Sequence, residues 1–191
     1  MNKKIAVLVG STRKDSFSQT LAQNMAELFP GDYQVEFVKI GHLPIYNQDY
    51  DKAGTPEEYE PFRAKIRDVD GVMFVTPEHN RSYSAVLKNA IDIGSRPYGH
   101  SVWDGKPALV VSQSPGNISG FGANHHLRQV LTFLNMPILQ QPEAYIAHTH
   151  TLFDEEGKLN NEGTLEFLQS VVDAFVELIG IHEKQPSDKI F

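Results

Sequence analysis

Short apolar runs alternate with segments of helical periodicity along the whole chain. Residues 5–9, 72–75 and 108–111 are continuously apolar, as expected of strands covered on both faces. Between these runs, apolar residues recur every three or four positions, which is typical of one face of a helix. Buried strands that alternate with helices predict a parallel sheet with helices on both of its faces.

The pattern also predicts further strands and several helix ends. Residues 35–37 form a second short strand, and a fifth strand lies between residues 138 and 146. Thr55, followed by Pro56 and two glutamates, predicts a helix start with Thr as the N-cap and Pro in the first position. Gly180 is predicted to end the last helix.

The loop after the first strand, residues 10–18, is rich in hydroxyl groups and leads directly into a helical pattern. Backbone N–H groups at a helix N-terminus are unpaired, and the helix dipole favours negative charge there. Four residues, Ser11, Thr12, Ser16 and Ser18, add hydroxyl donors, and Arg13 adds a forked cation. We interpret this loop as a phosphate site for a phosphorylated cofactor.

The same loop permits a purely structural interpretation, in which Ser16 or Ser18 only caps a helix and Arg13 is a solvated charge. The loop contains neither G-x-x-x-x-G-K-[ST] nor G-x-G-x-x-G. A P-loop NTPase and the dinucleotide fingerprint are therefore disfavoured. A single terminal monophosphate, held by hydroxyl groups, suits the loop better.

Two further loops stand where a ligand site is expected. In parallel sheets, ligands bind outside the carboxyl ends of the strands, near the point where the strand order reverses. The loops after Val9, Val75 and Val111 all combine Gly or Pro with Ser or Asn. Their joint hydrogen-bonding capacity favours one shared site, the alternative being that loops are polar in general.

Composition removes several other classes of function. The chain has 191 residues, no Cys and a net charge of −7, and we expect one domain that covers residues 1–191. The lack of Cys excludes disulfides and thiolate metal sites, and the negative charge argues against nucleic-acid and membrane binding. No apolar run is long enough for a signal peptide or a membrane helix, so we expect a cytoplasmic protein.

Two pairs of histidines are candidate metal ligands. His125 is adjacent to His126, and His148 lies close to His150. Adjacent side chains on a helix point apart, and no second carboxylate cluster accompanies either pair. We therefore expect no metal site.

Two motifs resemble the flavodoxin-like NADPH-dependent FMN reductases, a family that includes FMN, azo-dye, quinone and chromate reductases. Residues 10–18 are similar to the phosphate loop of that family, and residues 77–80 with residues 87–92 are similar to its second signature. The resemblance implies a flavodoxin-like three-layer α/β sandwich with a five-stranded parallel sheet of order 2-1-3-4-5. It also implies bound FMN, NADPH or NADH as co-substrate, and a homodimer or homotetramer.

The resemblance also assigns the cofactor-binding residues by motif position. The phosphate and ribityl chain would be held by Ser11, Arg13, Ser16, Phe17 and Ser18. The flavin ring would be bordered by Pro77, Glu78, His79 and Asn80, and approached from the third loop by Gln113, Ser114 and Gly116. We assign no catalytic acid or base, because the flavin itself carries the hydride chemistry.

Three positions depart from the family pattern. The family usually has Tyr where His79 stands, often has Pro-Gly within residues 83–85, and in many members has Trp at the position of Ile93. These positions border the face on which substrates stack, so they affect the choice of substrate. The open face itself is predicted to include Arg81, Tyr83 and Phe121.

The predicted function is an NAD(P)H-dependent FMN-containing reductase of small electron acceptors: free flavin, quinones, azo dyes or metal oxyanions. A shared flavin face predicts ping-pong kinetics. One alternative is a flavodoxin-type electron-transfer protein without small-molecule turnover, although such carriers are usually more acidic than a charge of −7. Another alternative is a nucleotide-binding or regulatory module that kept the fold and lost the flavin.

Overall fold

One five-stranded parallel sheet organises residues 2–183, the part of the chain that the computed structural model describes. The strands are β1 (Lys3–Val9), β2 (Tyr33–Phe37), β3 (Gly71–Thr76), β4 (Ala108–Gln113) and β5 (Ala144–Ile146). The helices are α1 (Phe17–Ala26), α2 (Tyr50–Ala53), α3 (Tyr59–Arg67), α4 (Ala85–Gly94), α5 (Phe121–Phe133) and α6 (Glu162–Glu183), with a 3₁₀ helix at Thr149–Thr151. The strand order β2-β1-β3-β4-β5 confirms the predicted topology. Residues 1 and 184–191 of the predicted domain lie outside the described range.

The sheet separates two apolar cores, which completes the predicted three-layer sandwich. On one face, α3, α4 and α5 pack around Phe74 and Trp103. On the other face, α1 and α6 pack around Met25 and Phe175. Because β3 and β4 are buried at every position, their sequences are almost continuously apolar. Within residues 2–183, no helix combines the length and the apolar character needed to cross a membrane.

Two helix ends differ from the sequence prediction. Helix α3 begins at Tyr59 rather than just after Thr55. The hydroxyl of Thr55 donates instead to the carbonyl oxygen of Tyr50, at 3.3 Å, so Thr55 contacts the preceding short helix and does not cap α3. Helix α6 continues through Gly180 to Glu183, because a single glycine weakens a well-packed helix without ending it.

The carboxyl ends of β1, β3 and β4 lie side by side at one edge of the sheet. Val9 of β1 is in register with Val75 of β3, and Val75 is in register with Val111 of β4. The strand order reverses between β1 and β3, which is where parallel sheets bind their ligands. The three polar loops predicted to form one site therefore begin next to each other.

The C-terminal end of α4 is held by Arg63, whose side chain projects from α3. Its guanidinium donates to the carbonyl oxygens of Ile93 at 3.0 Å, Gly94 at 3.1 Å and His100 at 2.7 Å, and also to that of Arg96. These are terminal carbonyls of α4 and of the loop after it, of which Gly94 also accepts the Val102 N–H at 2.9 Å and Ile93 the Arg96 N–H at 3.4 Å. Burial lowers the pKa of Arg63, and the four carbonyls compensate for its lost hydration.

Candidate functional site

An open pocket of about 220 Å³ lies at the carboxyl edge of the sheet, between the β1–α1, β3–α4 and β4–α5 loops. Its walls bring together most of the residues predicted from the sequence. The wall residues are Ser11, Arg13, Ser16, Phe17, Pro77, Glu78, His79, Gln113, Ser114 and Pro115, and of these only Pro115 is not predicted from the sequence. Three other predicted residues, Ser18, Asn80 and Gly116, belong to the same loops but do not line the pocket.

A larger groove of about 560 Å³ lies between β2 and α3. Its lining combines apolar residues such as Phe37 and Phe62 with charged residues such as Glu57 and Lys65, and it includes no Ser or Thr hydroxyl. It also lies at the β2 edge of the sheet rather than at the point where the strand order reverses. The chemistry of the linings, rather than their size, therefore assigns the site to the smaller pocket.

The N-terminus of α1 offers free hydrogen-bond donors to this pocket. The Ser16 hydroxyl oxygen caps the helix by accepting the Gln19 N–H at 3.2 Å. Within residues 2–183, the backbone N–H groups of Phe17 and Ser18 have no partner. Ser16 is thus a helix cap, and the same helix start still presents two N–H groups to an anion.

The Arg13 side chain is exposed beside these donors. Its guanidinium makes one hydrogen bond, from Nη2 to the carbonyl oxygen of Asp15 at 2.6 Å. The Ser11 hydroxyl oxygen accepts the Arg13 backbone N–H at 3.4 Å, and this hydrogen bond makes a local turn at the start of the loop. The remaining guanidinium N–H groups are available to a phosphate.

Gly10 lets the first loop pack directly against the second. A Cβ at Gly10 would lie 2.8 Å from Ser84 Oγ, closer than real Cβ contacts come, and 3.2 Å from Pro77 Cδ, so both neighbours would have to move. Ser84 is the N-cap residue of α4, and its buried hydroxyl has no hydrogen-bond partner among the described residues. The start of α4 is therefore fixed against the loop that carries Arg13.

The β3–α4 loop forms a tight turn that closes on itself. His79 and Ser82 exchange two backbone hydrogen bonds, of 2.8 and 2.9 Å. The central residues Asn80 and Arg81 have φ angles of 51° and 65°, as in a type I′ turn. In the part of the chain described, the backbone N–H groups of Glu78 and Asn80 have no partner, so this turn also presents donors.

Glu78 fastens this turn to the first turn of α5. One carboxylate oxygen accepts the Ala123 N–H at 3.1 Å, and the other accepts Arg81 Nη1–H at 2.9 Å. The residue before α5 provides no side-chain cap, so Glu78 satisfies a helix donor from a neighbouring loop. A Cβ at Gly122 would lie 2.9 Å from the Arg81 carbonyl oxygen, which is why glycine occupies that position.

The open-face predictions had different outcomes. Arg81 and Phe121 are exposed, the Phe121 residue by 51%. Tyr83 is only 6% exposed, and its ring packs edge-on against His126 with centroids 5.3 Å apart. The prediction for Tyr83 is wrong, because its side chain turns into the core, where burial raises its pKa to about 12.

The neighbouring histidines have partners other than metal ions. His125 Nε2 shares a hydrogen bond of 2.9 Å with the Tyr145 hydroxyl. His126 Nδ1 shares one of 2.8 Å with the Ser82 hydroxyl. Among the residues that the structure describes, no group of three or more His, Asp or Glu is placed to hold a metal ion.

Comparison with known proteins identifies the family of this chain. The NADPH-dependent FMN reductase family matches residues 3–151. The chain belongs to this family. A quinone reductase from Pseudomonas putida is 53% identical to it over 178 residues, which cover 93% of this chain and 95% of the relative. A 2-hydroxy-1,4-benzoquinone reductase from a Burkholderia species is 46% identical over 175 residues, covering 92% and 95% of the two chains.

A solved structure agrees with this assignment. FerB, a flavoenzyme NAD(P)H:(acceptor) oxidoreductase from Paracoccus denitrificans, superposes with a TM-score of 0.88 at 41% identity, covering 94% of this chain and 98% of FerB. Membership of the FMN reductase family confirms an oxidoreductase that uses FMN and NAD(P)H. It also confirms the flavodoxin-like fold that the two motifs implied.

Behind the pocket of this FMN reductase lies a buried hydrogen-bond network. The sequence alone does not predict this network. Gln113 Nε2 donates to the Ser18 hydroxyl oxygen at 2.8 Å, and Gln113 Oε1 accepts the Thr149 hydroxyl at 2.7 Å. All three side chains are buried. Ser18 thus contacts Gln113 behind the pocket wall, and Thr149 carries no local signal in the sequence because it meets Gln113 only through the fold.

We expect Gln113→Leu to lower the free energy of unfolding by about 2 kcal/mol, because it leaves the hydroxyls of Ser18 and Thr149 buried without their partner. Urea denaturation of the flavin-free protein would measure the loss. The control is Gln129→Leu on the exposed side of α5, for which we expect a change within about 0.5 kcal/mol. Equal effects of the two substitutions would contradict the network's contribution.

Proposed function

We propose that the chain is an FMN-containing reductase that passes electrons from NADPH or NADH to quinones. The overall reaction converts NAD(P)H, one proton and a quinone into NAD(P)⁺ and a hydroquinone. The observation that carries the proposal is the pocket itself, in which free donors and Arg13 at the α1 end face the self-closed turn of residues 79–82. Quinone reductases among its relatives support the choice of acceptor.

The phosphate end of the pocket would be formed by the β1–α1 loop. The backbone N–H groups of Phe17 and Ser18 and the hydroxyls of Ser11 and Ser16 would donate to phosphate oxygens. Arg13 would add a charge-assisted fork. Within α1, no acidic residue in the first turn opposes this anion. Ser18 would act twice, through its N–H toward the phosphate and through its hydroxyl toward Gln113.

The flavin ring would lie between the second and third loops. Bound FMN supplies the two-electron chemistry, and the protein holds the ring. Pro77, Glu78, His79 and Asn80 would border one edge of the ring, where the free N–H groups of Glu78 and Asn80 favour negative charge. The third loop would approach the ring through Gln113, Ser114 and Gly116.

A single open side of the pocket would serve both substrates. Since the nucleotide and the quinone would then stack in the same place, they must bind in turn, and ping-pong kinetics follow.

We also infer a homodimer or homotetramer in the cytoplasm. The exposed apolar side chains of Ile45, Tyr98 and Phe133 support association, and the absence of Cys fits a reducing compartment.

The purified protein, saturated with FMN and then freed of excess, is expected to show a flavin absorption spectrum and to oxidise NADPH when a quinone is present. Parallel lines in double-reciprocal plots at several quinone concentrations would support the ping-pong scheme. A flavin spectrum without NADPH turnover would favour the electron carrier instead. A protein that stays colourless after incubation with FMN would contradict both and support a flavin-free regulatory module.

A further inference from the structure

Arg81 stands where the backbone of its turn favours glycine. It is the second central residue of the turn closed by His79 and Ser82, and its φ angle is 65°. Turns of this kind strongly prefer Asn-Gly at the two central positions, and Asn80 satisfies the first preference. A bulky residue at positive φ is uncommon and is found preferentially where its side chain has a function.

The guanidinium of Arg81 is held at the rim of the pocket by a wall residue. Its Nη1 donates to Glu78 at 2.9 Å, where the Glu78 side chain is 13% exposed and lines the pocket. The Arg81 side chain itself is 70% exposed, so its other N–H groups face solvent. The second oxygen of Glu78 accepts the Ala123 N–H at the α5 N-terminus, whose helix dipole offsets part of the carboxylate charge.

We propose that Arg81 selects acceptors with negative charge, namely quinones that carry an ionised ring hydroxyl next to a carbonyl. This inference rests on the proposed function and adds the class of quinone. Such an anion presents its charged oxygen next to a carbonyl oxygen, and this pair of acceptors matches the paired N–H groups of a guanidinium fork. Arg13, in the pocket wall, is assigned to the cofactor phosphate, and Arg81 is a second cation, held against the wall residue Glu78.

The test compares 2-hydroxy-1,4-naphthoquinone, which is ionised at neutral pH, with neutral 2-methoxy-1,4-naphthoquinone of nearly the same shape. The measured quantity is the ratio of kcat/KM for the charged acceptor to that for the neutral one, at saturating NADPH. We expect Arg81→Gln to lower this ratio about five- to tenfold. Arg81→Lys keeps the charge and should retain most of the ratio, and added salt should reduce the wild-type ratio.

Arg81→Gly separates selectivity from folding. Glycine adopts positive φ without strain, so this variant should unfold at a temperature no lower than the wild type while losing the same selectivity as Arg81→Gln. An unchanged ratio in both variants, or a raised KM for NADPH in place of a changed ratio, would overturn the inference alone. A wild-type enzyme that reduces neither quinone would overturn the proposed function and this inference with it.

Discussion

Arg13→Ala should raise the dissociation constant for FMN about 30- to 100-fold and leave the free energy of unfolding within about 0.5 kcal/mol of the wild type. Charge-assisted hydrogen bonds from a guanidinium fork to a phosphate contribute about 2–3 kcal/mol to binding. Folding is spared because the exposed guanidinium contacts only the Asp15 carbonyl in the described chain. Flavin fluorescence titration of the flavin-free protein would measure the affinity.

The affinity for riboflavin, which lacks the phosphate, tests whether Arg13 contacts the phosphate in particular. This affinity should differ less than about twofold between wild type and Arg13→Ala, because the lost contact is made to the phosphate alone. The FMN affinity of Arg13→Lys should lie between those of the wild type and Arg13→Ala, since an ammonium keeps the charge without the fork. Lys14→Ala removes an adjacent exposed cation and is the matched control. An equal loss of FMN and riboflavin affinity in Arg13→Ala would contradict the phosphate assignment.

Arg63→Met should lower the free energy of unfolding by about 4 kcal/mol and the Tm by about 10 °C. The substitution keeps the volume of the aliphatic stem but leaves the carbonyls of Ile93, Gly94, Arg96 and His100 without the donor that holds them together. The carbonyls of Gly94 and Ile93 keep backbone N–H donors, so the cost comes mainly from those of Arg96 and His100, which lose theirs in the folded state only. Calorimetry and urea titration of the flavin-free protein would measure the change.

Arg67→Met, on the same helix, is the control for Arg63→Met. Arg67 pairs with Glu60 at the exposed surface, and such pairs contribute about 0–1 kcal/mol. Because the carbonyls held by Arg63 lie at the end of α4 away from the pocket, folded Arg63→Met should bind FMN with wild-type affinity. A stability loss no larger than that of Arg67→Met would show that solvent satisfies these carbonyls equally well.

The hydrophobic pattern alone predicts the central strands, because β3 and β4 are covered on both faces and are polar only at their carboxyl ends. Helix ends were harder to predict. The sequence predicts Thr55 as the N-cap of α3, but its hydroxyl has a second partner available in the Tyr50 carbonyl, and α3 begins at Tyr59 instead. Local capping rules do not include such competition between neighbouring elements.

The site was predictable where it depends on the ends of strands and less so where it depends on distant packing. The pocket-lining loops follow from the rule for parallel sheets together with the polar residues after Val9, Val75 and Val111. The contact between Gln113 and Ser18 joins residues 95 positions apart, and no local pattern announces it. The burial of Tyr83 likewise depends on the place where α5 packs.

The self-contained closure of residues 79–82 has an evolutionary consequence. Two backbone bonds between His79 and Ser82 shape the turn, so its contour is kept by any pair of central residues that adopts positive φ. We therefore expect substitutions of this kind at the tip to leave the scaffold folded, which gives related enzymes a short route to a different acceptor if the role proposed for Arg81 holds. Saturation libraries at Asn80 and Arg81 are accordingly a compact starting point for redesign.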